Sequence, residues 1–197
     1  MSRKTSIHKE NIIKGAVELI RDKGHEALNA RALAERLGCS TQPIFSNFSS
    51  MEEVLDSVLN AALELYNRYV SDSISSGQHE PVYKAHGRAY IRFAMEPVNL
   101  FRLLFMRDRT NDSNPVEQST FYDVLPLIMK ATGMNEEKAA MFHFEMWAAV
   151  HGIAVMAATS YYKLNDDLVS ETLTDIYQGL LYRFGQRKTE ATDEQRH

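Results

Sequence analysis

The 197-residue sequence has one cysteine, one tryptophan and no apolar run approaching the roughly 20 residues of a membrane-spanning helix. A single cysteine, Cys39, excludes an intramolecular disulfide framework, so we expect a reducing, cytoplasmic setting. The basic first residues lead straight into an amphipathic pattern, and we expect no secretory signal peptide. At 44% hydrophobic and 24% charged, the composition is that of an ordinary soluble protein with a sizeable core.

The sequence also lacks the motifs that carry common catalytic chemistry. It contains no G-x-S-x-G, no Ser-His-Asp order, no phosphate-binding loop, no dinucleotide fingerprint and no paired carboxylate spacing. These absences favour a binding protein over an enzyme, and we predict no cofactor.

Charge is distributed unevenly along the chain. The net charge is −4, which taken whole argues against a nucleic-acid partner. Residues 1–50, however, hold eight Lys and Arg against five Asp and Glu, and the remaining residues hold 14 against 21. The first fifty residues are therefore the better candidate for contact with a polyanion.

Apolar residues recur at helical spacing along nearly the whole sequence, without strand alternation or an internal repeat. This pattern predicts an all-α protein. The expected helices cover residues 6–23, 30–37, 41–47, a long segment from 51 to the break at "SSGQHEP", and then 82–95, 97–107, 116–131, 136–163 and 167–185.

Two short helices flank a connection centred on Gly38. Asn29 stands at the N-cap position of the first, and we expect Ser40 to cap the second. Pro43 then falls in the first turn, where a missing N–H breaks no intrahelical hydrogen bond. Helix, tight turn and helix is the outline of a helix-turn-helix motif.

The stretch "IIKGAVELIRDKGHEALNARALAERLGCSTQPIFSNFSSMEEVL" resembles the N-terminal DNA-binding domain of TetR-type (tetracycline-repressor-like) bacterial transcription regulators. The resemblance implies an all-α homodimer with one helix-turn-helix per subunit and a larger C-terminal domain that senses a ligand. We therefore expect a helix-turn-helix domain over residues 1–50 and an effector-binding and dimerisation domain over residues 51–197.

The sequence departs from that family at three places. Members often carry Lys-Gly where this chain has Thr41-Gln42, Tyr in place of Phe45, and Lys in place of Met51. The missing Lys and Tyr remove phosphate contacts. We therefore expect lower affinity and a shallower salt dependence, with sequence read by a neutral tip.

Candidate DNA-binding residues follow from the motif. Arg31 either contacts a phosphate or is an exposed arginine without a partner, and Phe45 either covers the domain surface or packs on sugar-phosphate. Thr41 and Gln42 lie at the end of the helix that enters the major groove, where Gln pairs with adenine. The full set is Asn29, Arg31, Ser40, Thr41, Gln42, Pro43, Phe45, Ser46 and Asn47.

The segment "WAAVHGIAVM" resembles a subgroup of the family with a Trp…His-Gly signature in its ligand domain. His143, Trp147 and His151 share one face of the predicted 136–163 helix. We expect them to line a pocket or fill the core. A metal site is the least favoured alternative, because Trp147 occupies the position between the two histidines where a second metal ligand would be needed. The candidate effector pocket comprises Phe105, Met106, Tyr122, His143, Trp147 and His151.

Small residues in the 136–163 helix favour close helix packing, and the 167–185 helix carries a second apolar face. In the family that the chain resembles, two such helices from each subunit form a four-helix dimer interface. Packing of both helices within one subunit is the alternative.

These observations predict a transcriptional regulator, namely a homodimeric repressor that binds a palindromic double-stranded operator and is released by a small, largely apolar effector. A helical small-molecule-binding protein, or a regulator that acts by protein contact without specific DNA binding, is the alternative. We expect no membrane partner.

Overall fold

The described part of the chain is helical, as the spacing of its apolar residues predicts. The computed structural model describes residues 7–76, 80–108 and 124–194, with side chains to residue 185. Those ranges contain no strand, which confirms the all-α prediction. Their nine α-helices are α1 Lys9–Lys23, α2 Ala30–Arg36, α3 Gln42–Asn47, α4 Met51–Ser76, α5 Val82–Met95, α6 Val98–Phe105, α7 Leu125–Thr132, α8 Glu136–Ala158 and α9 Asp166–Glu194, with a 3-10 turn at His25–Ala27.

The chain divides into two compact units. The first contains residues 1–68 and 96–107, and the second contains residues 69–95 and 108–197. The helix-turn-helix lies in the first unit together with α6 and most of α4. The functional division expected at residue 50 stays a prediction.

Helix α1 organises the first unit, where it packs against α2, α3 and α6. Gly15 lets α2 approach closely, since a Cβ atom at this position would lie 2.7 Å from Leu37 Cδ2. The fully buried side chains of this unit come from each of its helices: Ile12, Ala16, Ile20, Leu33, Ile44, Val54, Val58, Ala62, Leu100 and Phe101.

Helix α8 is the centre of the second unit, with α5, α7 and α9 packed around it. Lys84 fastens α9 to α5, because its Nζ donates to Ser170 Oγ at 2.7 Å and to Thr174 Oγ1 at 2.9 Å. Among the described helices, α8 alone is long and apolar enough to cross a membrane by length and composition. Part of its apolar surface is buried in the core of the second unit, as at Phe142 and Ala154, and part is exposed.

The predicted end of α8 at residue 163 was wrong. The helix ends at Ala158, and Ser160 adopts a left-handed conformation with φ 56°. Ser160 N–H donates to Ala157 O and Tyr161 N–H donates to Met156 O, both at 3.0 Å, which is a Schellman termination. The sequence carries no glycine here, so nothing in its pattern marks the stop.

Other boundaries also differ, most of all the end of α9, which is predicted at residue 185 and lies at residue 194. Helix α9 begins one residue earlier than predicted and continues to residue 194, with Asn165 Oδ1 accepting from Leu168 N at 2.8 Å. Helix α1 begins at Lys9 rather than at residue 6. Residues 116–123 of the predicted 116–131 helix lie outside the described residues, and α7 forms the rest of it.

Candidate nucleic-acid interface and effector region

Helix α2 starts as the sequence predicts. The Asn29 side chain accepts a hydrogen bond from Ala32 N at 2.9 Å and donates to Ala27 O at 3.3 Å. Asn29 is thus an N-cap, and its side chain is exposed. Arg31, in the first turn of α2, is exposed and forms no ion pair among the described residues.

The connection between α2 and α3 is fixed by backbone hydrogen bonds. Gly38 N–H donates to Glu35 O at 3.1 Å and Cys39 N–H donates to Ala34 O at 3.0 Å, which is again a Schellman motif. Gly38 has φ 64°, a left-handed conformation that glycine adopts without a steric cost. This turn sets the direction in which α3 leaves α2.

Helix α3 buries one edge and exposes the other. Ile44 is fully buried and Phe48, the residue after the helix, is 2% exposed. Thr41, Gln42 and Phe45 are exposed, and half of the Phe45 ring surface is accessible to solvent. No residue from Gly38 to Ser50 is charged, so the exposed edge offers an amide, a hydroxyl and an aromatic ring.

The predicted N-cap of α3 was wrong by one residue. Thr41, not Ser40, occupies the N-cap position, and it forms no side-chain cap hydrogen bond. Its carbonyl accepts from Ile44 N at 3.1 Å and from Phe45 N at 3.3 Å. Pro43 lies in the first turn as expected, where the helix needs no N–H from it. Ser40 remains exposed beside this edge.

Two polar residues of α3 are occupied by internal hydrogen bonds. Ser46 Oγ donates to Gln42 O at 2.9 Å. Asn47 Nδ2 donates to Pro43 O at 2.8 Å and to Ile7 O at 3.2 Å, and the side chain is half-buried. Asn47 therefore ties α3 to the segment that precedes α1.

A second connection near α3 was not foreseen from the sequence. Lys9 Nζ lies 3.0 Å from Glu53 Oε1 and 4.5 Å from the centre of the Phe48 ring. Glu53 Oε2 also accepts from the backbone N–H of Ser49 at 2.7 Å and from its hydroxyl at 2.9 Å. The Ser49 backbone N–H and the Lys9 ammonium lower the pKa of Glu53 to about 2.

One connected group is therefore formed by Lys9, Asn47, Phe48, Ser49 and Glu53. It joins the start of α1, the end of α3 and the start of α4. The spacing Ser50-x-x-Glu53 is a capping-box signature, and Glu53 N donates to Ser50 Oγ at 3.2 Å. A capping role for Glu53 could therefore have been predicted from this spacing in the sequence.

Arg36 links the last turn of α2 to α1. Its Nη1 lies 2.8 Å from Asp22 Oδ2 and its Nη2 lies 3.4 Å from Glu18 Oε2, both on α1. The hydrogen bond that the Arg36 guanidinium donates to the Asp22 carboxylate is the main cause of its raised pKa. Of the two arginines in α2, Arg36 is thus engaged with acidic residues and Arg31 faces solvent.

The residues expected to line an effector pocket fall in different parts of the fold. Phe105 and Met106 belong to the first unit, where Phe105 contacts the rings of Tyr66 and Phe101 at centroid distances of 5.4 Å. His143, Trp147 and His151 belong to α8 in the second unit. Tyr122 lies outside the described residues.

Two tyrosine–histidine pairs join α5 to α8. Tyr83 Oη lies 2.9 Å from His143 Nδ1, and Tyr90 Oη lies 2.8 Å from His151 Nδ1. Trp147 stacks on the His151 ring, with ring centres 5.0 Å apart and an angle of 16° between the planes. These five residues, called the α5–α8 strip below, form a row of aromatic and polar side chains. Neither tyrosine is in the candidate effector pocket given above.

His143 is held neutral in this strip. It is 8% exposed, and burial, together with the nearby His86, lowers its pKa to about 4. Burial also raises the pKa of the Tyr83 hydroxyl. At neutral pH this pair therefore carries no charge. Among the described residues no group of three or more His, Cys, Asp or Glu side chains is placed to hold a metal ion.

Helices α8 and α9 carry apolar surface that the described part of the chain leaves open. Met141 and Phe144 on α8 are 50% and 56% exposed, and Tyr182 on α9 is 72% exposed. A Cβ atom at Gly152 or Gly179 would meet nothing within 4 Å. This exposed apolar surface is called the α8–α9 face below.

Comparison with known proteins places two stretches of the chain. Residues 12–58 match the family model described as bacterial regulatory proteins, tetR family. Residues 83–177 match the model described as the tetracyclin repressor-like C-terminal domain. The first stretch contains the helix-turn-helix and the second contains the α5–α8 strip. The subgroup with the Trp…His-Gly signature stays a prediction.

Individual proteins agree with these matches. The chain is 21% identical over 203 residues to the uncharacterised HTH-type transcriptional regulator Rv0681 of Mycobacterium tuberculosis, covering 96% of this chain and 87% of that protein. It is 36% identical over 59 residues to the class C tetracycline repressor protein of Escherichia coli, covering 30% of this chain and 27% of that protein. A TetR family member from Streptomyces coelicolor A3 (SCO1917) has a solved structure of similar fold, with a TM-score of 0.64, 17% identity and coverage of 85% of this chain and 96% of that one.

Proposed function

Because the chain belongs to the TetR family of bacterial transcriptional regulators, we propose that it is a cytoplasmic repressor that binds a palindromic operator as a homodimer. A small, largely apolar effector in the second unit releases it. The regulator acts by binding and has no catalytic role.

The exposed edge of α3 is the observation that carries the DNA-binding proposal. Thr41, Gln42 and Phe45 project from a helix whose other edge is anchored by buried Ile44 and Phe48. The side chains of Thr41 and Gln42 form no hydrogen bond among the described residues, so both are available to bases. In the major groove a glutamine amide pairs with adenine N6 and N7.

Phosphate contacts come from outside α3 in this proposal. Arg31 is exposed at the start of α2 without an ion-pair partner among the described residues, and it supplies a charge-assisted contact to the DNA backbone. Asn29 and Ser40, exposed at the two ends of the motif, add neutral contacts. Few charges at the interface mean that affinity falls only gently with salt concentration.

The α8–α9 face supports the proposed homodimer. A palindromic operator is matched by a two-fold symmetric protein that places one α3 helix in each of two successive major grooves. Exposed Met141 and Phe144 supply apolar area, and the open surface at Gly152 and Gly179 allows close approach of a second copy. This pairing uses the helices that the sequence assigned to the interface.

The α5–α8 strip supports the proposed effector site. It combines the stacked rings of Trp147 and His151 with two hydrogen-bonded tyrosine–histidine pairs. Apolar walls with few polar groups are typical of small-molecule sites. Release requires that the effector bind the DNA-free conformation more tightly than the DNA-bound one.

Electrophoretic mobility shift with the DNA upstream of its own gene, at stated salt, tests the DNA-binding proposal. We expect a specific band that Gln42→Ala removes or weakens about 10-fold, equivalent to one lost base contact of about 1–3 kcal/mol. Asn67→Ala, an exposed position in the middle of α4, is the matched control. Absence of any specific DNA for the native dimer contradicts the proposal and favours a protein-contact regulator or a plain small-molecule binder.

Trp147 is the only tryptophan of the chain, so its fluorescence tests the effector site directly. Compounds that release the protein from DNA are expected to shift or quench this emission. An effector that releases DNA without changing Trp147 emission would place the effector site elsewhere.

A further inference from the structure

Helix α3 has very few groups left to read bases. Ser46 Oγ is bonded to Gln42 O, and Asn47 Nδ2 is bonded to Pro43 O and Ile7 O. Pro43 has no donor in its side chain. The side chains of Thr41 and Gln42 are exposed on this edge and make no internal hydrogen bond among the described residues, so they are the first candidates for polar base contacts.

Phe45 is the largest exposed group on this edge. The residue is 50% exposed, and it lies three and four residues after Gln42 and Thr41, which places it beside them on the surface. The side chain has no hydrogen-bonding atom, so it cannot bond to a phosphate or to the polar edge of a base. Its carbon surface is suited to contact with an apolar group.

The major groove presents one such group, the C5-methyl of thymine, which no other base carries. We propose that Phe45 contacts a thymine methyl in each operator half-site, and that this contact supplies sequence specificity that the neutral polar tip lacks. The proposal rests on the proposed function as a DNA-binding regulator. It predicts that thymine is required at one position next to the bases read by Thr41 and Gln42.

Replacement of thymine by deoxyuridine tests the methyl contact alone, because uracil keeps every hydrogen-bonding group of thymine. The operator is first selected from a randomised duplex library with the full-length native protein, and each thymine is then replaced singly by deoxyuridine. We expect one thymine per half-site at which the replacement weakens binding about fourfold, the change equivalent to ~0.8 kcal/mol for one buried methylene-sized group. Replacement in both half-sites is expected to weaken binding about 16-fold.

Two variants tie the effect to the ring. Phe45→Ala is expected to bind the thymine and deoxyuridine operators equally, and Phe45→Tyr, which keeps the ring, is expected to retain the difference. Circular dichroism checks that both variants are folded, and the scan with the native protein requires no variant at all.

Other results overturn the proposal. If no thymine shows a methyl dependence with the native protein, Phe45 reads no base. If Phe45→Ala weakens thymine and deoxyuridine operators by the same factor, or leaves the methyl dependence intact, the ring packs on sugar or another residue reads the methyl. Failure to select any operator contradicts the proposed function itself and is distinguishable, because then no DNA is bound specifically at all.

Discussion

The side-chain amide of Asn47, the last residue of α3, lies 3.2 Å from the carbonyl oxygen of Ile7, two residues before α1 begins. The same nitrogen lies 2.8 Å from Pro43 O, one turn back in α3. One asparagine therefore links the recognition helix to itself and to the start of the chain's first helix. The sequence placed Asn47 among the candidate DNA-binding residues, whereas these bonds favour a positioning role.

Asn47→Ala is expected to loosen α3. Loss of both hydrogen bonds costs about 1–2 kcal/mol in the free energy of unfolding, and hydrogen exchange of backbone amides in residues 44–48 becomes faster. Asn67→Ala, a solvent-exposed asparagine within α4, is the control and leaves both quantities unchanged. Equal exchange rates in native protein and Asn47→Ala would show that the amide does not hold α3.

Tyr83→Phe is expected to destabilise the second unit by about 1 kcal/mol, because it removes the hydroxyl that faces His143 Nδ1 and leaves the ring contacts in place. Tyr161→Phe is the matched control, since that tyrosine is 80% exposed. Urea unfolding midpoints of the two variants measure the difference. If the unfolding midpoint of Tyr83→Phe is no lower than that of Tyr161→Phe, the Tyr83–His143 hydrogen bond does not stabilise the fold.

Acid is expected to destabilise the protein between pH 6.5 and pH 4 through His143. Its pKa is about 4 in the fold against an ordinary value of 6.5, so the unfolded chain binds more protons in this interval and stability falls as pH falls. The loss reaches roughly 3 kcal/mol at pH 4 and below. His143→Asn, compared with native protein by urea unfolding from pH 7 to pH 4, is expected to show a smaller slope. Identical slopes would assign the acid sensitivity to other groups.

Gly152→Arg is expected to prevent dimerisation without unfolding the subunit. A Cβ atom there meets nothing within 4 Å in one copy of the chain, but a charged side chain between two closely packed α8 helices is excluded. Asn67→Arg adds the same charge on α4 and serves as the control. Sedimentation velocity distinguishes the two masses. A dimeric Gly152→Arg protein would place the interface away from the α8–α9 face.

Ser160→Gly is expected to stabilise the protein by about 1 kcal/mol. Ser160 terminates α8 with φ 56°, a conformation that costs energy in every residue with a Cβ atom and none in glycine. Thr159→Gly, at φ −97°, is the control and is expected to destabilise. A lower melting temperature for Ser160→Gly would show that this serine is not strained.

The sequence predicted the helices well because each amphipathic face is a local pattern. The end of α8 was not predicted, because a serine in a left-handed conformation does not mark a helix end in the sequence. Glycine does mark such turns, at Gly24, Gly38 and Gly133. The cap of α3 was misplaced because Ser40 and Thr41 are both residue types that cap helices, with Ser the more favoured of the two. Only the backbone conformation separates them.

The sequence predicted more of the candidate DNA-binding site than of the candidate effector site. Thr41, Gln42 and Phe45 follow from the position of the motif along the chain. The Tyr83–His143 and Tyr90–His151 pairs are separated by 60 and 61 residues, so they depend on how α5 and α8 are aligned. Periodicity gives the face of each helix but not the register between two helices, and this is why the histidines were expected without their tyrosines.

The uncharged tip of α3 also affects how strongly the protein would bind DNA outside its operator. Binding to random DNA is almost entirely electrostatic, and a genome offers about 10⁶–10⁹ competing positions. On the proposed function, an α3 helix without lysine or arginine, on a protein of net charge −4, is expected to be poorly retained at those positions. Only a small fraction of the molecules is then expected to be sequestered away from the operator on random DNA.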